Sequence, residues 1–335
     1  MNALLSEKEI MKTRILVCLC LAAVIGSLSH HALSQTYPAK AIRVLSTFNP
    51  GTVADGAMRL IAQKMSDSML QPVIVEAMAG AGGVLAAQTL LRSAPDGYTI
   101  LHSAPTTLVA TPFLFKTPPY DPLKDFTYIT HLADATTCLL VAASLPVNTV
   151  RELIDYARAN PGKLAYGSNG VGASYHLEME LLKHKQGLDI LHVPYRAGSE
   201  TLMAAATGQI SIAFSPAAAA LAQMRAGKVK ILAVLSTKRF ASMPELPSMG
   251  EQLPDYEKIP SGDEMVGPAG MPESVVTRLN AEIVKALNNA EVQARLKQIG
   301  FVPVGNTPQE HAAQIRKDME IMGRAIKAAQ IKAAG

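Results

Sequence analysis

Ile42-Arg43-Val44-Leu45-Ser46-Thr47-Phe48-Asn49-Pro50-Gly51-Thr52-Val53-Ala54-Asp55 opens the pattern from which the fold is read. Ile42 to Leu45 is a short β-branched and aliphatic run and Asn49-Pro50-Gly51-Thr52 is a turn; Met58, Ile61 and Met65 then recur at the spacing of one helix face. Strand, loop and helix thus follow in that order. The order repeats with Val73-Ile74-Val75, the loop Gly80-Ala81-Gly82-Gly83, a helix carrying Leu85 and Leu91 and ending near Ser93, the Asp96-Gly97 turn and a strand from Tyr98 to Leu101. Strands alternating with helices predict an α/β fold with parallel pairing.

A Pro-rich connection, Pro118 to Pro122, leads to two apolar runs, Tyr128 to Leu132 and Cys138 to Ala142, with a crossing between lobes expected near Asp134. Beyond it the grammar restarts. Thr149-x-x-Glu152 is a capping box for a helix with Leu153, Ile154 and Ala157, stopped by Asn160-Pro161-Gly162. The strand Leu164 to Gly167, the loop Ser168 to Gly172, a helix through His176 to Lys185, the strand Ile190 to Val193, the turn Pro194 to Gly198 and a helix to Thr207 come next. Ile210 to Ser215, an Ala-rich helix to Ala226 and Ile231 to Leu235 complete this lobe, and Met243 to Pro260, with four prolines, reads as the return connection. The tail is helical: Val276, Leu279, Ile283 and Leu287 form a stripe, followed by helices at Ala290–Ile299 and Pro308–Ala328. The expected division is a first lobe of 35–134 and 258–335 and a second of 135–257.

Ahead of the lobes, Ile15 to Leu28 is apolar apart from Gly26 and Ser27, preceded by Lys12 and Arg14 and followed by Ala32-Leu33-Ser34. This reads as a secretory signal peptide over 1–34, started more naturally at Met11 than at Met1 because Glu7 and Glu9 suit an n-region poorly. The stretch is too short to span a bilayer of about 30 Å. Its removal takes Cys18 and Cys20 and leaves Cys138 alone in an apolar run, a buried small hydrophobe with no disulfide framework. The 335 residues, 49% hydrophobic and 17% charged, suffice for two cores, and a net charge of +4 without a Lys/Arg run argues against nucleic acid as a partner.

Four loops, at Gly51-Thr52, Gly80 to Gly83, Ser168 to Gly172 and Tyr195 to Gly198, each follow a strand and precede a helix. In open parallel sheets ligands bind there, against unpaired N–H groups that suit an anion. Each loop alone could be a plain turn, but four divided between two lobes favour a cleft. Enzyme signatures fail: neither Gly80-Ala81-Gly82-Gly83-Val84-Leu85 nor Gly170-Val171-Gly172-Ala173-Ser174-Tyr175 completes G-x-G-x-x-G, no Walker A or G-x-S-x-G occurs, and the histidines lack metal-ligand spacing, so no cofactor and no metal are expected. His176, just after Ser174 at a helix start, is placed to donate to a ligand oxygen, with capping or packing as the bland alternative. Asp55 either orients its loop or polarises the ligand, beside the plain reading of an acid favoured in a first helical turn.

The combination of Tyr37-Pro38-x-Lys40-x-Ile42-Arg43, Asn49-Pro50-Gly51-Thr52-x-x-Asp55, Gly80-Ala81-Gly82-Gly83, Ala94-Pro95-Asp96-Gly97-Tyr98-Thr99, Pro119-Tyr120-Asp121-Pro122-x-x-Asp125-Phe126 and His192-Val193-Pro194-Tyr195 resembles the tripartite tricarboxylate transporter receptors, the Bug family, across residues 36 to 330. The resemblance implies a two-lobed periplasmic binding protein fold of type II, with a ligand cleft between mostly parallel sheets. It also implies a monomeric, non-enzymatic receptor that closes on a small carboxylate (a dicarboxylate, hydroxy acid or aromatic acid) and hands it to a two-component membrane permease. Carried over by position, it assigns one ligand carboxylate to Phe48, Asn49, Gly51, Thr52 and Asp55 with Gly80, Ala81, Gly82 and Gly83. The second lobe adds Ser168, Gly170, Ser174 and His176 and then Pro194, Tyr195 and Gly198, with Ser103 and Ser215 as wall residues. The chain departs from the family pattern at Thr52, where a second Gly is usual, at Ser211, usually Asp, and at Ser261-Gly262-Asp263-Glu264, usually holding a large aromatic. Two acids there would repel a polyanion if they faced it. A sensing module for a membrane signalling protein and a hydrolase built on Ser174 and His176 are the alternative functions.

Overall fold

The computed structural model describes residues 37–195, 198–240 and 243–331, so the leader read at 1–34 lies outside the described residues. Met1–Ala39 and Lys40–Gly335 are separate units, and the account below concerns the second. In chain order its elements are β1(Ile42–Ser46), α1(Val53–Met69), β2(Val73–Ala77), α2(Val84–Leu91) after a 3₁₀ turn at Ala81–Gly83, β3(Thr99–Ser103), α3(Pro105–Leu114), β4(Phe126–Ala135), β5(Thr137–Ala142), α4(Val150–Ala159), β6(Ala165–Ser168) and α5(Ser174–Gln186). They continue as β7(Leu191–Pro194), α6(Gly198–Ala206), β8(Ile212–Pro216), α7(Ala217–Arg225), β9(Val229–Val234), α8(Met249–Gln252), β10(Asp263–Pro268), α9(Glu273–Leu287), α10(Ala290–Gln298), β11(Phe301–Pro303) and α11(Pro308–Ala328).

Two sheets result, ordered β11-β4-β10-β3-β1-β2 and β7-β6-β8-β5-β9. Within the first, β1 is parallel to β2 and β3; within the second, β6 is parallel to β7 and β8. The expected parallel pairing is broken by the strands through which the chain changes lobes. β4 runs through Thr136 into β5, which starts where β8 and β9 end, with Thr137 opposite Pro216 and Cys138 opposite Val234, so β5 is antiparallel to both. On the return, β10 begins opposite the ends of β3 and β4, pairing Glu264 with Ser103 and Asp263 with Ala133, and is antiparallel to both. Both crossings therefore run between the carboxyl ends of the parallel strands, which brings the loop-bearing ends of the two sheets toward each other.

Local sequence explains the helices that carry the site. Met58, Ile61 and Met65 are buried along one face of α1, and the Thr52 hydroxyl caps it by accepting from the Asp55 N–H. The Thr149–Glu152 capping pair opens α4 as expected, and α11 starts with Pro308 at its first position behind a Thr307–Glu310 capping box. Two elements have no clear signal in the sequence. α3 is rich in β-branched residues and contains Pro112, so propensity argues against it; packing of buried Leu108 and Val109 and contact with α11 hold it. β10 begins with two acids, which read as loop, yet Asp263 and Glu264 are buried.

One apolar cluster in the second lobe gathers Leu139, Val141, Tyr166 and Phe214, and another gathers Cys138, Leu140, Ala213 and Val234 on the opposite sheet face. Cys138 is fully buried, and burial pushes its thiol up to about 12, in keeping with a packing role. The first-lobe cluster joins Leu45, Ala86, Leu108 and Ile326 to Leu177 and Leu181 of α5. One face of a second-lobe helix is thus buried in the first-lobe core.

Candidate functional site

The first-lobe half of the site is built from the β1–α1 and β2–α2 loops. Asp55 is 2% exposed and organises the first: its Oδ2 accepts from the Gly51 N–H at 3.0 Å and from Arg59 Nε at 3.0 Å. The Arg59 bond holds its carboxyl below the ordinary range. Of the two readings of Asp55, the geometry supplies loop orientation. Thr52, standing where Gly is usual, closes the same turn by donating from Oγ1 to the Asn49 carbonyl at 2.8 Å. Phe48 packs its ring on His102 at 4.8 Å between centroids. In the second loop, a Cβ on Gly83, at φ +92°, would collide with Thr107 and come within 3.0 Å of Thr47 Cγ2, so the backbone is pressed against the sheet end. In that turn the Gly83 N–H donates to the Gly80 carbonyl at 2.8 Å, whereas the N–H groups of Ala81 and Gly82 have no backbone acceptor among the described residues.

The second-lobe half centres on three stacked rings. Tyr166 stacks on His192 at 4.8 Å and His192 on His176 at 4.2 Å. Ser168 Oγ is 2.7 Å from His192 Nε2 and accepts from the Gly170 N–H at 3.2 Å, so one hydroxyl ties the loop to the ring stack. The Gly172 N–H donates to His176 Nδ1 at 3.0 Å; that nitrogen carries a lone pair, and the neutral ring holds its proton on Nε2. Burial lowers the pKa of His176 and takes that of His192 down to about 4, so both rings are neutral at pH 7. The Tyr195 N–H donates to the Ser168 carbonyl at 2.9 Å, linking the loop after β7 to the same wall, and Gly198 lies against Tyr175. Pro194 ends β7 and is exposed, and Ser174 is the first residue of α5.

The two wall residues sit differently. Ser103 is fully buried and donates to Glu264 Oε1 at 3.2 Å; Ser215, 1% exposed, lies 3.4 Å from the Pro216 carbonyl. Neither hydroxyl is presented to solvent. The two acids in place of the usual aromatic also turn inward: Glu264 meets His311 Nε2 at 3.0 Å, and Asp263 lies 3.5 Å from His102 Nε2, whose Nδ1 is 3.1 Å from Ser46 Oγ. They are internal partners of histidines, and the repulsion expected of cleft-facing acids has no source. Gly262 is required just before them, because a Cβ there would collide with the Ala133 carbonyl.

Three residues of the site escaped the sequence reading. His102 shows in the sequence only as a histidine without metal spacing and His192 only as part of the His192-Val193-Pro194-Tyr195 match, because their roles lie in contacts from β3 and β7 that no local pattern encodes. Asn169, between Ser168 and Gly170, has its Oδ1 buried without a partner among the described residues. The hydrolase constellation is not assembled: His176 spends Nδ1 on Gly172, and among the described residues no hydrogen bond joins it to Ser174 or to an acid.

Polar groups also fasten the crossings. Lys258 Nζ is 2.6 Å from Asp134 Oδ1, Glu257 pairs with Lys185 of α5 at 2.8 Å and with Arg324 of α11, and Glu178 accepts from Tyr256 Oη at 2.6 Å and the Ile259 N–H at 3.2 Å. A cavity of about 640 Å³ lies beside them, lined by His131, Asp134, Lys258, His311 and Asp318 among others, and shares no residue with the predicted loops. Pro105, the first residue of α3, is on its lining, but none of the glycine-bearing loops that follow a parallel strand reaches it, so the loops are taken as the candidate site.

Comparison with known proteins gives the family and the fold. The family model for the tripartite tricarboxylate transporter family receptor matches residues 57–331. Among solved structures, the R. palustris protein Rpa4515 with adipate is 30% identical, with a TM-score of 0.71, over 89% of this chain and 100% of that one. MatC (Rpa3494) from Rhodopseudomonas palustris with bound malate is 28% identical with a TM-score of 0.67, over 88% of this chain and 100% of that one. The periplasmic binding protein BugD is 27% identical with a TM-score of 0.68, over 89% of this chain and 100% of that one. With two α/β lobes, helix-start loops at their facing ends and a family match running through both, the chain belongs to the tripartite tricarboxylate transporter family of solute-binding receptors.

Proposed function

We propose that this receptor works in the periplasm, binds a small carboxylate between its lobes by closing on it, and delivers it to a two-component membrane permease. The observation that carries the reading is that the helix-start loops of the first lobe, Phe48–Thr52 and Gly80–Gly83, and the second-lobe loop with its hydroxyl, amide and imidazole groups all lie at the carboxyl ends of parallel strands, the ends between which the chain crosses from lobe to lobe. Neutral donors are enough for the task. Micromolar affinity needs about −8 kcal/mol, and hydrogen bonds to a charged group give roughly 1.5 to 3 kcal/mol each before ordering costs. The proposed lobes are 35–134 with 258–335, and 135–257, with a leader over 1–34 directing export. Closure turns about the crossings at Thr136 and at Glu257–Ile259, which the Lys258–Asp134 pair holds in register. Carboxylates bound to the R. palustris relatives, adipate and malate, support the ligand class.

The test is a thermal-shift screen of protein unfolded and refolded to strip carried-over ligand, against mono-, di-, tri- and aromatic carboxylates with their esters as controls. A ligand at 100 times its dissociation constant adds about 2.7 kcal/mol. A rise for one acid class and none for its ester is expected. A flat response from folded protein would overturn the carboxylate reading.

A further inference from the structure

The crossing strands divide the space between the lobes into two flanks. In the first sheet β1 and β2 lie on one side of β4 and β10 with β11 on the other, and in the second β6 and β7 lie on one side of β5 with β9 on the other. The carboxylate loops follow β1, β2, β6 and β7 and so occupy the first flank. The cavity of about 640 Å³ belongs to the second: Thr237 and Lys238 follow β9, Asn306 follows β11, and Lys317 comes from α11. Its charges are unevenly matched. Asp134 pairs with His131 and Lys258, Glu257 with Lys185 and Arg324, and Arg239 with Glu251. Lys238, exposed on the second lobe, and Lys317, exposed on the first, have no ion-pair partner among the described residues. Against these two cations stands Asp318, the remaining acid of the lining, which is 6% exposed and accepts from Gln314 at 2.7 Å. The Thr237 and Ser261 hydroxyls also have no hydrogen-bond partner among the described residues, and Pro105 brings the start of α3 to the same wall.

We propose that this cavity is a second anion site, which takes a small multivalent oxyanion between Lys238 of one lobe and Lys317 of the other, and that its occupancy opposes closure on the carboxylate. The site itself stands on the cavity and its unpaired cations; the coupling rests on the receptor reading above. A single carboxylate would satisfy one ammonium and leave the other, whereas an anion with two or more charges engages both and accepts from the hydroxyls between them. The strands supply the lever. Bending about the two crossings that brings the carboxylate loops together draws the opposite flank apart, so Lys238 and Lys317 separate as the cleft closes. An anion bridging the two lysines resists that movement. Because such coupling is reciprocal, the carboxylate weakens the anion by the factor by which the anion weakens the carboxylate.

The test is calorimetric titration of the refolded protein with pyrophosphate, and then of the best-binding carboxylate at rising pyrophosphate, with sodium chloride adjusted to keep ionic strength constant. Pyrophosphate is expected to bind the ligand-free protein at one site and to weaken carboxylate binding to a plateau of at least about fivefold, the lower end of ordinary allosteric coupling. In the double variant Lys238→Gln with Lys317→Gln, pyrophosphate should bind at least about tenfold more weakly and its effect on the carboxylate should vanish, while carboxylate affinity without pyrophosphate stays that of the parent. A control with the same loss of charge elsewhere, Lys163→Gln with Lys228→Gln, should behave as the parent. No pyrophosphate binding, or binding that the double variant leaves unchanged, overturns the site. Weakening that grows with pyrophosphate without a plateau, in parent and double variant alike, shows competition at the loops and also overturns it. Binding lost in the double variant but without effect on the carboxylate overturns the coupling. Pyrophosphate binding that depends on the two lysines, in a protein that binds none of the carboxylates, supports the site and counts against the receptor reading instead.

Discussion

Replacing Glu178 by Gln should change stability with a sign that depends on pH. Glu178 lies on α5, is 6% exposed and ties the second lobe to the return crossing through Tyr256 Oη and the Ile259 N–H. Burial raises its carboxyl from the ordinary 4.5 to about 7. Because the folded value is the higher one, the folded state holds a proton that the unfolded chain releases between these two values. Stability from this group is thus fully present below about pH 4.5 and is lost as pH rises through about 7. At 1.36 kcal/mol per unit, a shift of that size amounts to about 3 kcal/mol. The amide escapes this penalty but replaces one accepting oxygen by a donor, losing about 1 kcal/mol of hydrogen bonding. The expected result is a variant about 1 kcal/mol less stable than the parent near pH 4 and about 2 kcal/mol more stable near pH 8, measured by urea unfolding at both values. A difference independent of pH, or a larger loss at pH 8, would refute the claim that Glu178 is a desolvated acid at the crossing.

Other perturbations follow from the loops and caps. Gly83→Ala places a Cβ into Thr107 and Thr47 at a left-handed backbone position. It should cost about 2 to 4 kcal/mol, seen as a lower melting temperature with or without ligand. Asp55→Ala removes the acceptor of Gly51 and Arg59 and should lower both stability, by about 2 kcal/mol, and carboxylate affinity. Since Arg59 holds the Asp55 carboxyl below its ordinary value, the stability loss should be present at neutral pH and fade as acid protonates the parent's carboxylate. Thr149→Ala removes the acceptor of the Glu152 N–H at the start of α4, far from the loops, and should cost about 1 kcal/mol in denaturant unfolding without altering affinity.

The legible parts of this molecule were local. A strand, a glycine turn and a helix face can be read from Ile42 to Met65 because burial periodicity and turn chemistry sit within one unit. The α11 span was equally plain from Pro308 to Ala328, where proline, a capping box and an amphipathic stripe agree. α3 and β10 were not legible, because what sustains them lies elsewhere in the chain: α11 for the first, and the His102, Ser103 and His311 partners of Asp263 and Glu264 for the second. The site divides in the same way. Glycine loops announce themselves, whereas the Tyr166–His192–His176 stack joins side chains from β6, β7 and α5 and exists only after folding. The meaning of the Asp263-Glu264 departure also depended on direction, since inward acids and cleft-facing acids have the same sequence.

The claim that a carboxylate ligand is bound between the first-lobe and second-lobe loops is tested most directly by titrating the best-binding acid into Gly82→Trp and Gly170→Trp. Both glycines lie at positive φ with open space where a side chain would project, so a bulky replacement strains its own loop and fills the space beside it while the core packing stays untouched. The account predicts that each variant remains folded and loses binding by about a hundredfold or more, about 2.7 kcal/mol. Unchanged affinity in both folded variants would contradict it.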